Sequence, residues 1–140
     1  MDIIAHTLWA TAIGKTWNRR ARTRLRLLWF VFWTMFPDLF SFAPMVVAGI
    51  WAKLSGATRM PHVHSIGGIG LYNLSHSFVV FAAAFAVASV VLRCPVWAML
   101  GWALHIAIDI PTHSRYTTPF LWPLSRYRFA GIGWWEHWFM

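Results

Sequence analysis

The sequence predicts an all-α membrane protein: a small bundle of about three to four transmembrane or half-spanning helices, with an interfacial aromatic C-terminal tail. Three observations predict it. Hydrophobic residues make up 59% of the 140 residues, including 11 Trp and 11 Phe, against roughly 45–50% apolar content in soluble domains. They gather into four long stretches without the alternation of half-buried strands. Lys15 and the run NRRARTRLR, residues 18 to 26, hold half of the basic residues and stand directly before the stretch LLWFVFWTMF, as cations flanking a membrane helix do.

The four stretches fit one domain, 1–140, with no repeat or linker to divide it. The first, residues 3 to 17, is about 15 residues long and falls short of a hydrocarbon core of about 30 Å, so it reads as an incomplete span or an interfacial helix. The second, about Leu25 to Leu54, contains Pro37 and Pro44, which remove backbone donors and predict a broken span. Residues 55 to 70, SGATRMPHVHSIGGIG, read as an exposed loop because Gly, Pro and Ser interrupt any apolar period. Residues 74 to 92 predict one long span ending at Arg93. After a Cys94-Pro95 turn, residues 96 to 110 predict another, stopped by Pro111. The tail from 112 to 140, rich in Trp, Pro and Arg, reads as an interfacial cap.

Charge and cysteine content narrow the function classes. Only Asp2, Asp38, Asp109 and Glu136 are acidic against 12 Lys and Arg, a formal charge of +8. The placement of the basic run beside an apolar stretch makes it a cytoplasmic anchor and not a nucleic-acid surface. Cys94 is the sole cysteine, which excludes an internal disulfide or a multi-cysteine zinc site and leaves it as a small apolar filler. The N-terminal segment lacks a basic n-region and carries Asp2 and His6, so it is expected to be retained and not cleaved as a signal. With residues 18 to 26 cytoplasmic, Arg93 also falls on that side. The expected location is therefore the plasma membrane, the inner membrane of a bacterium, although Arg115, Arg126 and Arg128 in the outward-facing tail pull mildly the other way.

Ionisable groups inside apolar segments are expensive, about 2.5–3.5 kcal/mol for a central Asp, so each needs a compensating role. Measured along the expected helices at about 1.5 Å per residue, His6, Asp38, His76, His105 and Asp109 fall about 15 to 24 Å from the cytoplasmic ends. All five therefore share one layer in the outer half of the membrane. His105 and Asp109, four residues apart, project from one helix face and can hold one cation together; alone, a structural His–Asp pair explains that spacing as well. Three His and two carboxylates at equal depth form an N/O ligand set for Zn²⁺ or a similar divalent ion, with Mn²⁺ as the alternative, and a proton relay or structural polar network as the competing reading. His113 lies one turn past Asp109 but beyond Pro111; it joins the ligand set as a ligand, a partner of a ligand, or an interfacial residue. His62 and His64, in MPHVHS, read as solvated, and Glu136 and His137 as interfacial anchors.

With these residues in place the chain resembles the YdjM-like family of membrane-bound, predicted metal-dependent hydrolases. The resemblance is carried by His6 in IIAHTLW, Asp38 in FPDL, His76 in SHS, His105 and Asp109 in HIAIDIPTHS, and the later TPFLWPLS at 118 to 125. These landmarks run in order through nearly the whole chain. It departs at LYNLSHS, with Leu71 where the family often has a first His, so that one ligand is either missing or supplied by His62, His64 or His113. The family's distant similarity to zinc-dependent phospholipases C and related nucleases implies a phosphoester-cleaving site.

The resulting expectation is a membrane-embedded hydrolase that cleaves a phosphoester or other ester of a lipid or lipid-linked substrate. His6, Asp38, His76, His105, Asp109 and His113 would be metal ligands, and Asp38 or Asp109 the general base. Arg115 is placed to engage a phosphate. The competing readings are a metal or proton transporter, which at this size would need to form a homo-oligomer, and a membrane scaffold with a polar core.

Overall fold

The sequence folds into five α-helices, seen in a computed structural model that describes residues 3–56, 68–114 and 117–133. No strand occurs among the described residues. Helix α1, Ile3–Arg20, runs past its apolar stretch into the basic run. The hydroxyls of Thr7, Thr11 and Thr16 each donate at 2.8 Å to the carbonyl four residues earlier, so these polar side chains satisfy themselves within the helix. The turn that follows is closed by Asn18, whose amide donates to the Leu25 carbonyl at 2.9 Å and accepts from the Leu25 N–H at 2.6 Å.

Helix α2, Leu27–Leu54, is continuous through Pro37 and Pro44, which corrects the expectation of a broken span. Each proline costs about 3 kcal/mol in an isolated helix interior. Here α2 is the hub of the fold, packed against α1, against α3 (Gly68–Ser75) and against α5 (Leu100–Thr112), and these contacts hold its backbone in line.

The third apolar stretch also differs from its expectation. Helix α3 begins at Gly68, inside the expected loop, and α4 spans Phe78–Val91, the two meeting at 61° around His76 and Ser77. Ser77 causes the break: in extended conformation, it caps α4 by accepting from the N–H groups of Val79 at 3.1 Å and Val80 at 3.3 Å. A 3-10 turn, Trp97–Met99, then leads into α5, which carries Pro111 in its last turn and ends one residue later.

At about 1.5 Å per residue, only α2 exceeds the hydrocarbon thickness of about 30 Å; α1, α4 and α5 reach about 27, 21 and 20 Å. One helix is thus long and apolar enough to cross a membrane, and the bent α3–α4 pair makes a second if taken together. Of the three to four transmembrane or half-spanning helices expected, one full-length span is thus seen among the described residues.

The interior and exterior are inverted relative to a soluble bundle. Buried apolar side chains form two small clusters, Ala10, Leu25 and Phe30 between α1 and α2, and Met99, Trp102 and Ile106 beneath a layer including Phe36 and Phe81. Among the described residues, the fully buried set also holds His6, Thr34, Asp38, Ser41, Ser75, His76, Ser77, His105, Asp109 and Thr118. Outside, Leu28, Val47, Trp51, Leu54, Val87, Val90 and Val91 are each more than half exposed, and α4 buries none of its residues.

The described part of the tail folds back over the helix ends. The Phe78 N–H donates to the Phe120 carbonyl at 2.9 Å and the Ser77 hydroxyl to the Trp122 carbonyl. The Gly131 N–H reaches the His113 carbonyl at 3.0 Å and the Ile132 N–H the Pro111 carbonyl at 2.8 Å.

Candidate metal centre

The four principal helical elements each send one or two ionisable side chains to one point. α1 gives His6, α2 gives Asp38, the α3–α4 break gives His76, and α5 gives His105 and Asp109, all five buried. His113, directly after α5, closes on the same point. The one-turn spacing of His105 and Asp109 works as expected, with His105 Nε2 at 3.1 Å from Asp109 Oδ2.

Asp109 is the centre's shared anchor. Its Oδ1 lies 3.0 Å from His6 Nε2 and 3.3 Å from His113 Nδ1, and its Oδ2 3.1 Å from His105 Nε2 and 3.5 Å from His76 Nε2. Asp38 Oδ1 stands 3.6 Å from both His76 Nε2 and His105 Nε2, which are themselves 3.1 Å apart. The rings of His6 and His105 stack at 3.9 Å.

The outer nitrogens show where the protons are. His76 Nδ1 lies 3.1 Å from the Tyr72 carbonyl and 2.9 Å from the Ser75 hydroxyl. A carbonyl can only accept, so Nδ1 carries the proton and Nε2 turns a lone pair to the centre. Ser75 is itself held at 2.7 Å by Ser41, whose hydroxyl also reaches the Pro37 carbonyl at 2.7 Å. This backing by a carbonyl and hydroxyls is what ordinarily fixes a metal-ligating imidazole. Trp102 Nε1 adds a bond to the Ser75 carbonyl at 2.5 Å, tying the break to α5. The Nδ1 atoms of His6 and His105 are buried and make no hydrogen bond among the described residues. His76 is therefore the ring whose tautomer is already set for an ion.

His113 plays a different part. Its Nδ1 is 3.2 Å from the Asp109 backbone carbonyl, so by the same reasoning that nitrogen is protonated and donates toward Asp109. Burial pushes its pKa down, with the Asp109 charge acting the other way. Through this nitrogen His113 orients Asp109, the role of a ligand's partner.

Two triads have the separations an ion requires: His6, His105 and Asp109, and Asp38, His76 and His105. For the second, with sides of 3.1, 3.6 and 3.6 Å, an ion equidistant from the three atoms lies about 2.0 Å from each, an ordinary Zn–N or Zn–O bond length. The buried His and Asp groups can thus hold a metal ion by geometry. A divalent charge would also offset the two carboxylates when the imidazoles are neutral.

The six residues expected from the sequence, His6, Asp38, His76, His105, Asp109 and His113, are all brought together. His62, His64, Arg115, Glu136 and His137 lie outside the described residues. Sequence reasoning missed Ser41, Ser75 and Tyr72. The SHS motif drew attention to His76, and its flanking serines offered the signal, one backing the imidazole and the other breaking the helix. No family model matches the chain, and no curated protein or solved structure matches it.

Proposed function

We propose that the chain is a membrane-embedded metal-dependent hydrolase. Asp38, His76 and His105 would bind a divalent cation, Zn²⁺ in the first instance, with Asp109 and His6 completing its surroundings and His113 orienting Asp109. The observation that carries this reading is the Asp38–His76–His105 triangle, with its ion-sized centre and the fixed Nε2 lone pair of His76. The all-apolar exterior of α4 and the length of α2 support placement in a bilayer. The basic turn after α1 supports a cytoplasmic orientation for that end at the plasma membrane.

A divalent ion there would lower the pKa of a coordinated water toward about 7 and polarise the scissile ester. The chain's own groups then divide the work. The Asp38 side chain is the more open carboxylate, 11% exposed against 2% for Asp109, so Asp38 is the one that would accept a proton from a water activated there. Asp109, in contact with four histidines, holds the frame. A centre inside an apolar bundle suits a lipid or lipid-linked phosphoester or other ester better than a freely soluble substrate.

Elemental analysis of the protein purified in detergent tests the ion, beside His76→Ala and His105→Ala. Stoichiometric Zn or Mn in the parent, lost in both variants, is expected. A parent that takes up neither metal on reconstitution refutes the reading and leaves an ion-free polar core. Turnover of a lipid ester panel, followed by mass spectrometry, tests the hydrolase assignment; activity that survives loss of both histidines overturns it.

A further inference from the structure

Next to the metal centre, α3 and the tail place a second group of polar side chains. Arg128 is exposed, yet its guanidinium is fixed: Nη1 donates to the Thr117 carbonyl at 3.0 Å and Nη2 to the Asn73 side-chain oxygen at 3.1 Å. These two bonds use two of the five N–H donors of the fork. The residues beside the two anchors, Tyr72 and Thr118, bring their hydroxyls toward each other. Both hydroxyl oxygens are buried, and neither makes a well-formed hydrogen bond among the described residues; Thr118 is 1% exposed.

Even where the two hydroxyls share one bond, one buried O–H is left without an acceptor, which is costly unless something else is bound there. The Tyr72 ring stacks on His76 at 3.9 Å, so this hydroxyl pair borders the ligand set. Tyr72 is also within the electrostatic reach of Asp109, Asp38 and Arg128 alike. Its hydroxyl is thus subject both to the carboxylates of the centre and to the Arg128 charge.

We propose that Arg128, Tyr72 and Thr118 form an anion seat that receives the phosphate of the substrate beside the metal centre, which makes the substrate a phosphoester and not a carboxylic ester. The proposal rests on the hydrolase reading for its catalytic meaning, although the seat is built from other residues. The chemistry matches: the guanidinium fork and two hydroxyls donate, and phosphate oxygens accept. A singly charged phosphodiester facing two carboxylates would be repelled; Arg128 together with a divalent ion brings the local charge to zero.

The test is titration of the full chain in detergent, with and without Zn²⁺, using inorganic phosphate and, separately, dihexanoyl phosphatidylglycerol, with binding read by ³¹P NMR. Arg128→Gln, Arg128→Lys and Thr118→Val are compared with the parent. Expected is a loss of about tenfold or more in affinity for Arg128→Gln, the effect of one charge-assisted hydrogen bond. Smaller losses are expected for Arg128→Lys, which keeps the charge but not the fork, and for Thr118→Val, with metal content unchanged in all three. Binding of the lipid identifies a headgroup seat, and binding of inorganic phosphate alone identifies a free-phosphate seat; both support the proposal if they depend on Arg128. Parent-like affinity in Arg128→Gln and Thr118→Val, or no binding to the parent, overturns it. If the chain takes up no metal but still binds phosphate through Arg128, the hydrolase reading fails and the seat stands.

Discussion

Gly101→Ala tests whether the centre depends on the close approach of α5 to α2. A Cβ added at Gly101 would lie 2.1 Å from the Phe30 carbonyl oxygen, 2.7 Å from Thr34 Oγ1 and 2.9 Å from the Thr34 nitrogen. An ordinary C···O contact is about 3.3 Å or longer, so the two helices must part by about 1.2 Å. The atoms met first belong to backbone, which cannot swing aside as a side-chain tip can. Overpacking of this kind costs about 1–3 kcal/mol, and the backbone contact places it at the upper end. The functional effect follows from position: His105 lies one turn beyond Gly101, and its Nε2 is 3.6 Å from Asp38 Oδ1 across the same helix interface. Parting the helices stretches that side of the triangle well beyond what one ion bridges at about 2.0 Å from each atom. Unfolding in detergent and Zn²⁺ titration give the two readouts. Expected are destabilisation of about 2–3 kcal/mol and a fall in metal affinity of tenfold or more. A variant within about 0.5 kcal/mol of the parent, with unchanged uptake, would show that the approach of α5 to α2 does not set the centre.

Three further outcomes follow from the hydrogen bonds. Ser75→Ala removes the hydroxyl at 2.9 Å from His76 Nδ1 but leaves the Tyr72 carbonyl, so metal affinity should fall about tenfold; a Zn²⁺ titration equal to the parent's contradicts a backing role. Ser77→Ala deletes the cap of α4 and the bond to the Trp122 carbonyl and should cost at least about 1 kcal/mol, whereas Ser77→Thr, which keeps a hydroxyl for both, should retain most of the stability in a denaturant series. Lowering the pH should release the metal. The ion-bound form needs bare Nε2 atoms on His76 and His105, so protons compete directly with the ion for them; metal content that is flat from pH 8 to 5 counts against imidazole ligation.

Much of the centre was legible because ionisable residues are rare and costly in apolar segments. His6, Asp38, His76, His105 and Asp109 stood out against their surroundings, and their shared depth pointed to convergence. The boundaries of the helices were less legible. LSHSFVVF continues an apolar run, so the 61° bend at His76–Ser77 is hidden unless Ser77 is read as a cap for the helix that starts at Phe78. Pro37 and Pro44 misled in the other direction, because their local cost is visible in sequence while the tertiary contacts of the continuous α2 are not. Gly101 is silent for the same reason: only the packed structure shows a Phe30 carbonyl where its Cβ would be. Ser41, whose hydroxyl supports Ser75, is a contact across 34 residues that no local pattern announces.

Proton placement is what favours the proposed ion over an ordinary buried polar network. In such a network every lone pair faces a donor. Here the Tyr72 carbonyl fixes the proton of His76 on Nδ1, so His76 Nε2 brings only a lone pair to the triangle, as does Asp38 Oδ1. His105 Nε2 faces His76 Nε2 and Asp109 Oδ2, both at 3.1 Å, with Asp38 Oδ1 further off at 3.6 Å, and a ring nitrogen carries at most one proton. One N–H cannot satisfy both of the nearer acceptors. Protonating His76 would supply a second donor, but it would leave two carboxylates against one buried charge. A divalent cation meets the lone pairs and the charge at once. The anion seat proposed at Arg128 would then lie beside a second positive charge, that of the ion. In the proposed reading, a cation at the lone pairs of the triangle and a phosphate at the Tyr72 and Thr118 hydroxyls are parts of one arrangement.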